Sequence, residues 1–410
     1  MLERCAADPG LERPKAETKG GAMAFPLGVY PIEAIEPRAG YSVRFEQADG
    51  DNESGEWEEW PDRYVFEVVC PATRLRPLWR TLASLLPARV YPILDVMGHD
   101  AYREVDPYIA YELVGVDHVL DAVQRYGPFL FEDGMVGFGA MCDDPFFYIF
   151  FDEHKIITIR CLPEDKERVE QALSAFDLEP VAEPVGVDAV AHEHRSILLT
   201  PDDQPDLLTP EEIVEHLRDE WALTLNIDTE TNVDDDGRDL GTTAWRCLVR
   251  VRTDREEDDL TGEDGADEDA ADALSDDPIT AWRPLQRLRP SPEPEYRYAE
   301  VLLQASSLRE AEELAYDAAA DLQAREPAPP AKTAPKPEGA GDEASKPPEG
   351  EPEEPPEDPD EFARFPDAFV VSSDRVTPEA FGTMLEAAGQ RGAKRVRQGV
   401  ARVHAARWLH

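Results

Sequence analysis

Two histidines one residue apart, His192 and His194 in the stretch AHEHR, point the same way if that stretch is extended. Imidazole nitrogens meeting from one side are donors that a divalent transition metal accepts. His216, one element further along, offers a third ring. The pair lies in a connector, and no acid or cysteine stands at an established ligand spacing from it. The spacing is a lead rather than a motif.

A second gathering of acid–base side chains is DVMGHDAYREVD, residues 95–106, with Asp95, His99, Asp100, Glu104 and Asp106 just after a predicted strand. Loops at strand ends are where catalytic acids and bases are usually carried. Any solvated loop has a similar composition. A third is NVDDDGRDLG, residues 232–241, where Asn232, Asp234, Asp236 and Gly237 stand at positions 1, 3, 5 and 6 of an EF-hand-type loop. Position 12 is Thr243 where a bidentate glutamate belongs, position 8 is Asp239 where an apolar anchor belongs, and a strand follows rather than a helix. The stretch therefore reads as an acidic, solvated connection, with Ca²⁺ binding weak or absent.

GFG at 137–139 lacks the Lys-Ser/Thr and the helix of a phosphate loop, and reads instead as close packing of a helix on a sheet. The sequence contains no GxSxG, HExxH, Walker or Cys–His pattern. No catalytic, cofactor-binding or metal residue is assigned from sequence, and the cofactor is unknown.

The elements that must position these groups follow from periodicity. Residues 23–178 read as an α+β domain. YVFEVV (64–69) is a strand, and TRLRPLWRTLASLL (73–86) is a helix with Thr73 as its N-cap and Leu75, Leu78, Trp79, Leu82, Leu85 and Leu86 on one face. RVYPILDV and PYIAYELV are further strands, and a short helix follows Asp117. The period then falls to two: PFLFE, MVGFGAM, FFYIFF and KIITIR, divided by Asp133-Gly134, Asp143-Asp144-Pro145 and DEHK (152–155), predict an antiparallel meander. A helix over 163–176 closes the domain.

Residues 179–208 form a connector to a smaller α+β domain, 209–325. Its first helix starts at the capping box Thr209-Pro210-Glu211-Glu212. Strands are predicted at 243–251, 279–288 and 296–304, and a helix is started by Ser307 and Glu310. Residues 254–277, with thirteen acids against one arginine, and the Pro/Glu-rich linker 326–360 lack the apolar content to fold and are expected to be disordered. A tethered strand–helix unit, 361–410, ends in a basic tail: Arg391, Lys394, Arg395, Arg397, Arg402 and Arg407 occur in the last twenty residues without an acid. This unit is expected to dock back on the acidic body in a salt-sensitive way. Residues 1–22 are polar and irregular; they read as a disordered segment, or Met23 is the true start. The fold class is thus α+β: antiparallel sheets with helices on one face, in two globular units plus the tethered piece.

The net charge of -47 repels phosphate backbones and anionic lipid, and no apolar run approaches 18 residues, so no membrane partner is expected and nucleic acid is unlikely except through the tail 391–410. Eight lysines against 33 arginines, within a composition rich in Ala, Pro, Gly and Asp, fit a GC-rich coding sequence or a high-salt habitat. Five cysteines without a CxxC indicate free thiols and a reducing, cytoplasmic compartment. Together these point to a non-catalytic interaction or assembly protein with an unidentified protein partner. The alternative is a divalent-metal-dependent hydrolase with its site near His99 or the His192/His194 pair.

Overall fold

The computed structural model describes residues 3–18, 21–48, 60–200, 204, 206–252, 296–325, 368–389 and 397–409. Two compact units emerge: residues 1–99 with 103–228, and residues 100–102 with 229–410. Both are α+β with antiparallel sheets.

In chain order the first unit holds β1 (Lys15–Thr18), β2 (Gly21–Ala24), β3 (Val29–Pro31), β4 (Gly40–Glu46), β5 (Arg63–Val69), α1 (Ala72–Ala83), β6 (Arg89–Met97) and β7 (Val105–Ala110). Then come β8 (Val114–Gly115), α2 (Val116–Arg125), α3 (Gly127–Glu132), β9 (Val136–Asp143), β10 (Phe146–Phe151) and β11 (Ile157–Cys161). It ends with α4 (Lys166–Ser174), β12 (His192–His194), α5 (Pro210–Glu220) and β13 (Leu223–Leu225). The main sheet runs β13-β7-β6-β9-β10-β11-β5-β4, with β8 added on β6. Two small ribbons, β1–β2 and β3–β12, complete the unit.

Register sets the core. Leu94 pairs Phe138, Phe138 pairs Phe151, Phe151 pairs Ile157, and Ile157 pairs Val68, so one apolar row crosses five strands. On that row lies the apolar stripe of α1, whose Trp79 ring sits 5.1 Å from Phe138 and 5.7 Å from Phe151. Leu75, Leu78 and Leu82 on the same stripe are fully buried, each contributing about 1.5–3 kcal/mol. The alternate residues, among them Asp95, Gly137, Gly139, Tyr148 and Phe150, line the opposite face of the sheet. The atoms nearest an added Cβ at Gly137 and Gly139 belong to residues 149–152, not to a helix. The ring of Phe150 lies over them instead, and a Cβ at either glycine would meet it at 2.9 Å.

Several elements differ from the sequence-based expectation. PFLFE is α3, not a strand: Pro128 opens its first turn, and Phe129, Leu130 and Phe131 are all buried. Helix α1 is capped by Pro71 without a side-chain bond, so Thr73 is not its N-cap. The N-terminal stretch is ordered over the described residues. Cys5 is buried in the main core, Ala6 O accepts from Leu199 N–H (2.9 Å), and Asp8 N–H donates to Ile197 O (2.8 Å). Its backbone polar groups find partners along the connector, which a count of apolar residues does not reveal. Helix α5 and strand β13 belong to the first unit, because Ile213, Leu217, Trp221 and Leu223 join the main core and β13 pairs β7. The unit boundary therefore falls at 228/229.

The second unit contains β14 (Thr243–Arg252), β15 (Tyr296–Ala305), α6 (Leu308–Arg325), β16 (Ala368–Val376), α7 (Pro378–Ala387) and β17 (Arg402–Trp408), with strand order β16-β14-β15-β17. The residues that follow the Pro/Glu-rich linker thus supply both outer strands of this sheet. Main-chain pairing and the burial of Val370, Val376, Phe381 and Leu385 hold them there. Arg407 of the basic tail is bound to buried Glu300, which also accepts from Arg246 at 2.8 Å. The expected disordered insert 254–277, the predicted strand 279–288, the linker 326–360 and tail residues 391–396 lie outside the described residues. Among the described residues no helix is long and apolar enough to cross a membrane.

Candidate metal centre

Strand β12 pairs with β3 so that His192 lies opposite Pro31 and His194 opposite Val29. The two-residue period sends both rings to one side and Glu193 to the other. The third participant is His154, from the turn between β10 and β11. That turn is closed by Asp152, whose carboxylate accepts from Ile156 N–H at 2.7 Å and whose carbonyl accepts from Lys155 N–H at 3.0 Å. Lys155 takes the left-handed backbone region (φ 64°) and sends its ammonium to the carbonyl of Val136 on β9. Burial pushes the Lys155 amine down to about 8 against the opposing charges of Asp133, Asp152 and Glu153.

The three rings form a propeller. Their centroids lie 4.7, 4.7 and 4.9 Å apart with interplanar angles of 73°, 71° and 79°. His154 Nε2 is 2.9 Å from His192 Nε2, which is 3.1 Å from His194 Nε2. Two nitrogens bound to one tetrahedral zinc at 2.0–2.1 Å would stand roughly 3.3 Å apart. The observed spacing is within a few tenths of an ångström of that.

The far nitrogens decide the protonation. His192 Nδ1 lies 2.7 Å from the carbonyl of Val190, and His194 Nδ1 lies 2.7 Å from the carbonyl of Gly134. A carbonyl only accepts, so each Nδ1 carries the hydrogen and each Nε2 of a neutral ring presents a lone pair. Those lone pairs face one another across 3.1 Å, which is repulsive unless a proton or a metal ion lies between them. His154 Nδ1 faces the carboxylates of Glu153 (3.3 Å) and Asp152 (3.5 Å). Each ring thus has an outer partner that fixes its orientation, as metal-ligating imidazoles do. Burial lowers the His154 pKa, but the bond and charge of Asp152 with the charges of Glu153 and Asp188 outweigh it and raise the ring overall. His194 is lowered, first by burial and then by the charge of His154.

The acceptor for His194 is held by two further devices. Gly134 and Gly28 cross so closely that a Cβ on Gly28 would meet Gly134 N at 2.2 Å, so only glycine fits there. Asp133, fully buried, accepts from Met135 N–H (2.8 Å) on one side and from Ile197 N–H (2.9 Å) and Ser196 Oγ–H (3.0 Å) on the other. It therefore ties the turn that carries the acceptor to the segment that follows the ligand.

The other sequence candidates are dispersed. His216 is bonded to Tyr126 Oη at 3.2 Å and is not the third ring of the cluster. His99 is exposed. Asp100 forms a buried ion pair with Arg375 at 2.9 Å, and Asp106 pairs with Arg103 at 2.6 Å. Asp95 stands on β6, its carboxyl pushed up to about 6 by burial and then by Glu153 and Asp152. In the 232–241 loop, Asn232 Oδ1 accepts from Arg375 (3.1 Å), and Asp234 Oδ1 accepts from the N–H groups of Asp236 and Arg238 (3.1 and 2.8 Å). Its oxygens close the loop on itself. Sequence reasoning treated DEHK only as a divider between strands; the signal it carried was a histidine directly after two acids.

Comparison with protein-family models, with curated proteins and with solved structures found no match.

Proposed function

We propose that the protein binds one divalent transition metal of the zinc class through Nε2 of His154, His192 and His194. The observation that carries this reading is the pair of carbonyl-locked rings whose Nε2 lone pairs face each other at 3.1 Å, with a third Nε2 beside them. Three imidazoles suit zinc, copper, nickel or iron(II), and disfavour calcium and magnesium, which take oxygen donors. Equilibrium dialysis of metal-stripped protein against Zn²⁺ and Co²⁺ tests it. One ion per chain is expected, lost in His154→Ala and His192→Ala and retained in His99→Ala and His216→Ala. Equal retention by all four variants would remove the site. The reading as a cytoplasmic interaction or assembly protein rests on charge, composition and free cysteines, and the metal centre supplies a more specific chemistry.

A further inference from the structure

The proposed centre has three protein donors, and what completes its coordination sphere decides what it can do. Structural zinc sites are closed by four protein ligands, whereas sites that act on ligands keep a position open. Two carboxylates stand near enough to raise the question, Asp152 and Glu153. Both approach His154 at Nδ1, the ring nitrogen turned away from the other two histidines. Asp152 is also engaged by Ile156 N–H at 2.7 Å. The ligand-capable atoms accordingly fall into two separate groups that share only His154: the three histidines, and Asp152 with Glu153 and His154. No described acid or cysteine joins the group of three Nε2 atoms. The cluster is also reachable, since His154 keeps 15% of its side-chain surface and His192 and His194 are part-exposed.

Resting on the metal reading above, we propose that the fourth position is open and takes an exchangeable donor from solution: water at rest, and a carbonyl-type or hydroxamate oxygen when a ligand is present. The charge around the centre narrows the class further. The charges of Asp152, Glu153 and Asp188 all act on His154, whereas Glu193 projects to the other side of β12 and pairs with Arg195. Three carboxylates oppose one divalent ion, so neutral or cationic ligands are accepted and polyanions such as phosphate are turned away.

Co²⁺-loaded full-length protein provides the test, because the visible d–d bands report ligand exchange directly. Acetohydroxamic acid, which approaches neutral and releases its N–OH proton to solvent as its oxygen coordinates, should shift the bands saturably, and the shift should disappear in His192→Ala. Inorganic phosphate at the same concentration should leave them unchanged. If Co²⁺ binds with one ion per chain but acetohydroxamic acid leaves the spectrum untouched, the sphere is closed by the chain and the open position is refuted. If phosphate shifts the bands as readily as acetohydroxamic acid, the assignment to neutral or cationic ligands is refuted. If no Co²⁺ binds at all, the metal reading itself has failed, and dialysis reports that outcome separately.

Discussion

Metal loading should stabilise the first unit by an amount the ligand geometry lets one work out. All three histidines lie in that unit, on a turn of the main sheet and on the β3–β12 ribbon. The unfolded chain separates His154 from the other two and so cannot reproduce the site. At free zinc of 100 times Kd, binding to the folded state alone stabilises by about 2.7 kcal/mol. Domains of 150–250 residues gain roughly 2–4 °C per kcal/mol, so a rise of about 5–11 °C in the first unit's transition is expected. The second unit contributes no ligand and its transition should stay where it is. Differential scanning calorimetry of the whole chain, with the two transitions fitted separately, measures both. His192→Ala should abolish the shift. A transition that does not move under saturating zinc, or that moves as far in His192→Ala as in the natural sequence, refutes the convergence of the three rings on one ion.

Three further outcomes follow from other buried groups. Asp133→Ala strands the N–H groups of Met135 and Ile197; roughly 2–5 kcal/mol of stability should be lost in urea titration, and zinc affinity should fall about 10–100-fold in the refolded protein. Asp100→Ala leaves the Arg375 guanidinium buried without its carboxylate, so the second unit should lose about 3–5 kcal/mol, and a loss below about 1 kcal/mol would refute a desolvated pair. At Glu300, burial alone would raise the carboxyl, but the bonds from Arg246 and Arg407 outweigh it and hold the group below the usual carboxylate range. A depressed carboxylate stabilises above its unfolded value, about 4.3, and that contribution is lost as pH falls through the lower folded value. Glu300→Gln should therefore flatten the second unit's acid-unfolding curve below about pH 4, read by far-UV circular dichroism.

Periodicity in the sequence located most of the first unit because its strands alternate cleanly. MVGFGAM, FFYIFF and KIITIR each place every second residue in the core, and β9, β10 and β11 follow in that order. Capping chemistry was readable at α5, where Thr209 and Glu212 form both bonds of their box, but not at α1, which Pro71 rather than Thr73 precedes. PFLFE was not readable, because four consecutive apolar residues before a glutamate satisfy a strand and a single helical turn alike. The pairing of β13 with β7, and of β16 with β14, joins segments distant in the chain, and no local pattern encodes it. In the last unit the strand–helix piece is β16 and α7, as its pattern indicates, whereas β17 lies in the basic tail and pairs β15 some hundred residues earlier in the chain.

The metal centre shows the same division between local and long-range information. That His192 and His194 face one way follows from period two in any extended segment. Which residue faces them depends on how the β3–β12 ribbon lies across the β10–β11 turn, and His216 was as reasonable a partner as His154 on sequence spacing alone. Two of the three outer partners are backbone carbonyls, of Val190 and Gly134, which any residue could supply and which leave no compositional trace. What remains readable is indirect. Gly28 and Gly134 are required because their backbones cross within 2.2 Å of an added Cβ, and Asp133 is required because three donors converge on it in a dry interior. A Gly following a buried Asp in a turn, twenty residues before a second turn with a histidine behind two acids, is weak information taken singly. It gains force from cost: a buried carboxylate and a crossing that only glycine permits are both spent on fixing one carbonyl, and that carbonyl fixes the tautomer of His194. Structure that expensive around a lone-pair nitrogen is more easily understood if the nitrogen has an ion to hold.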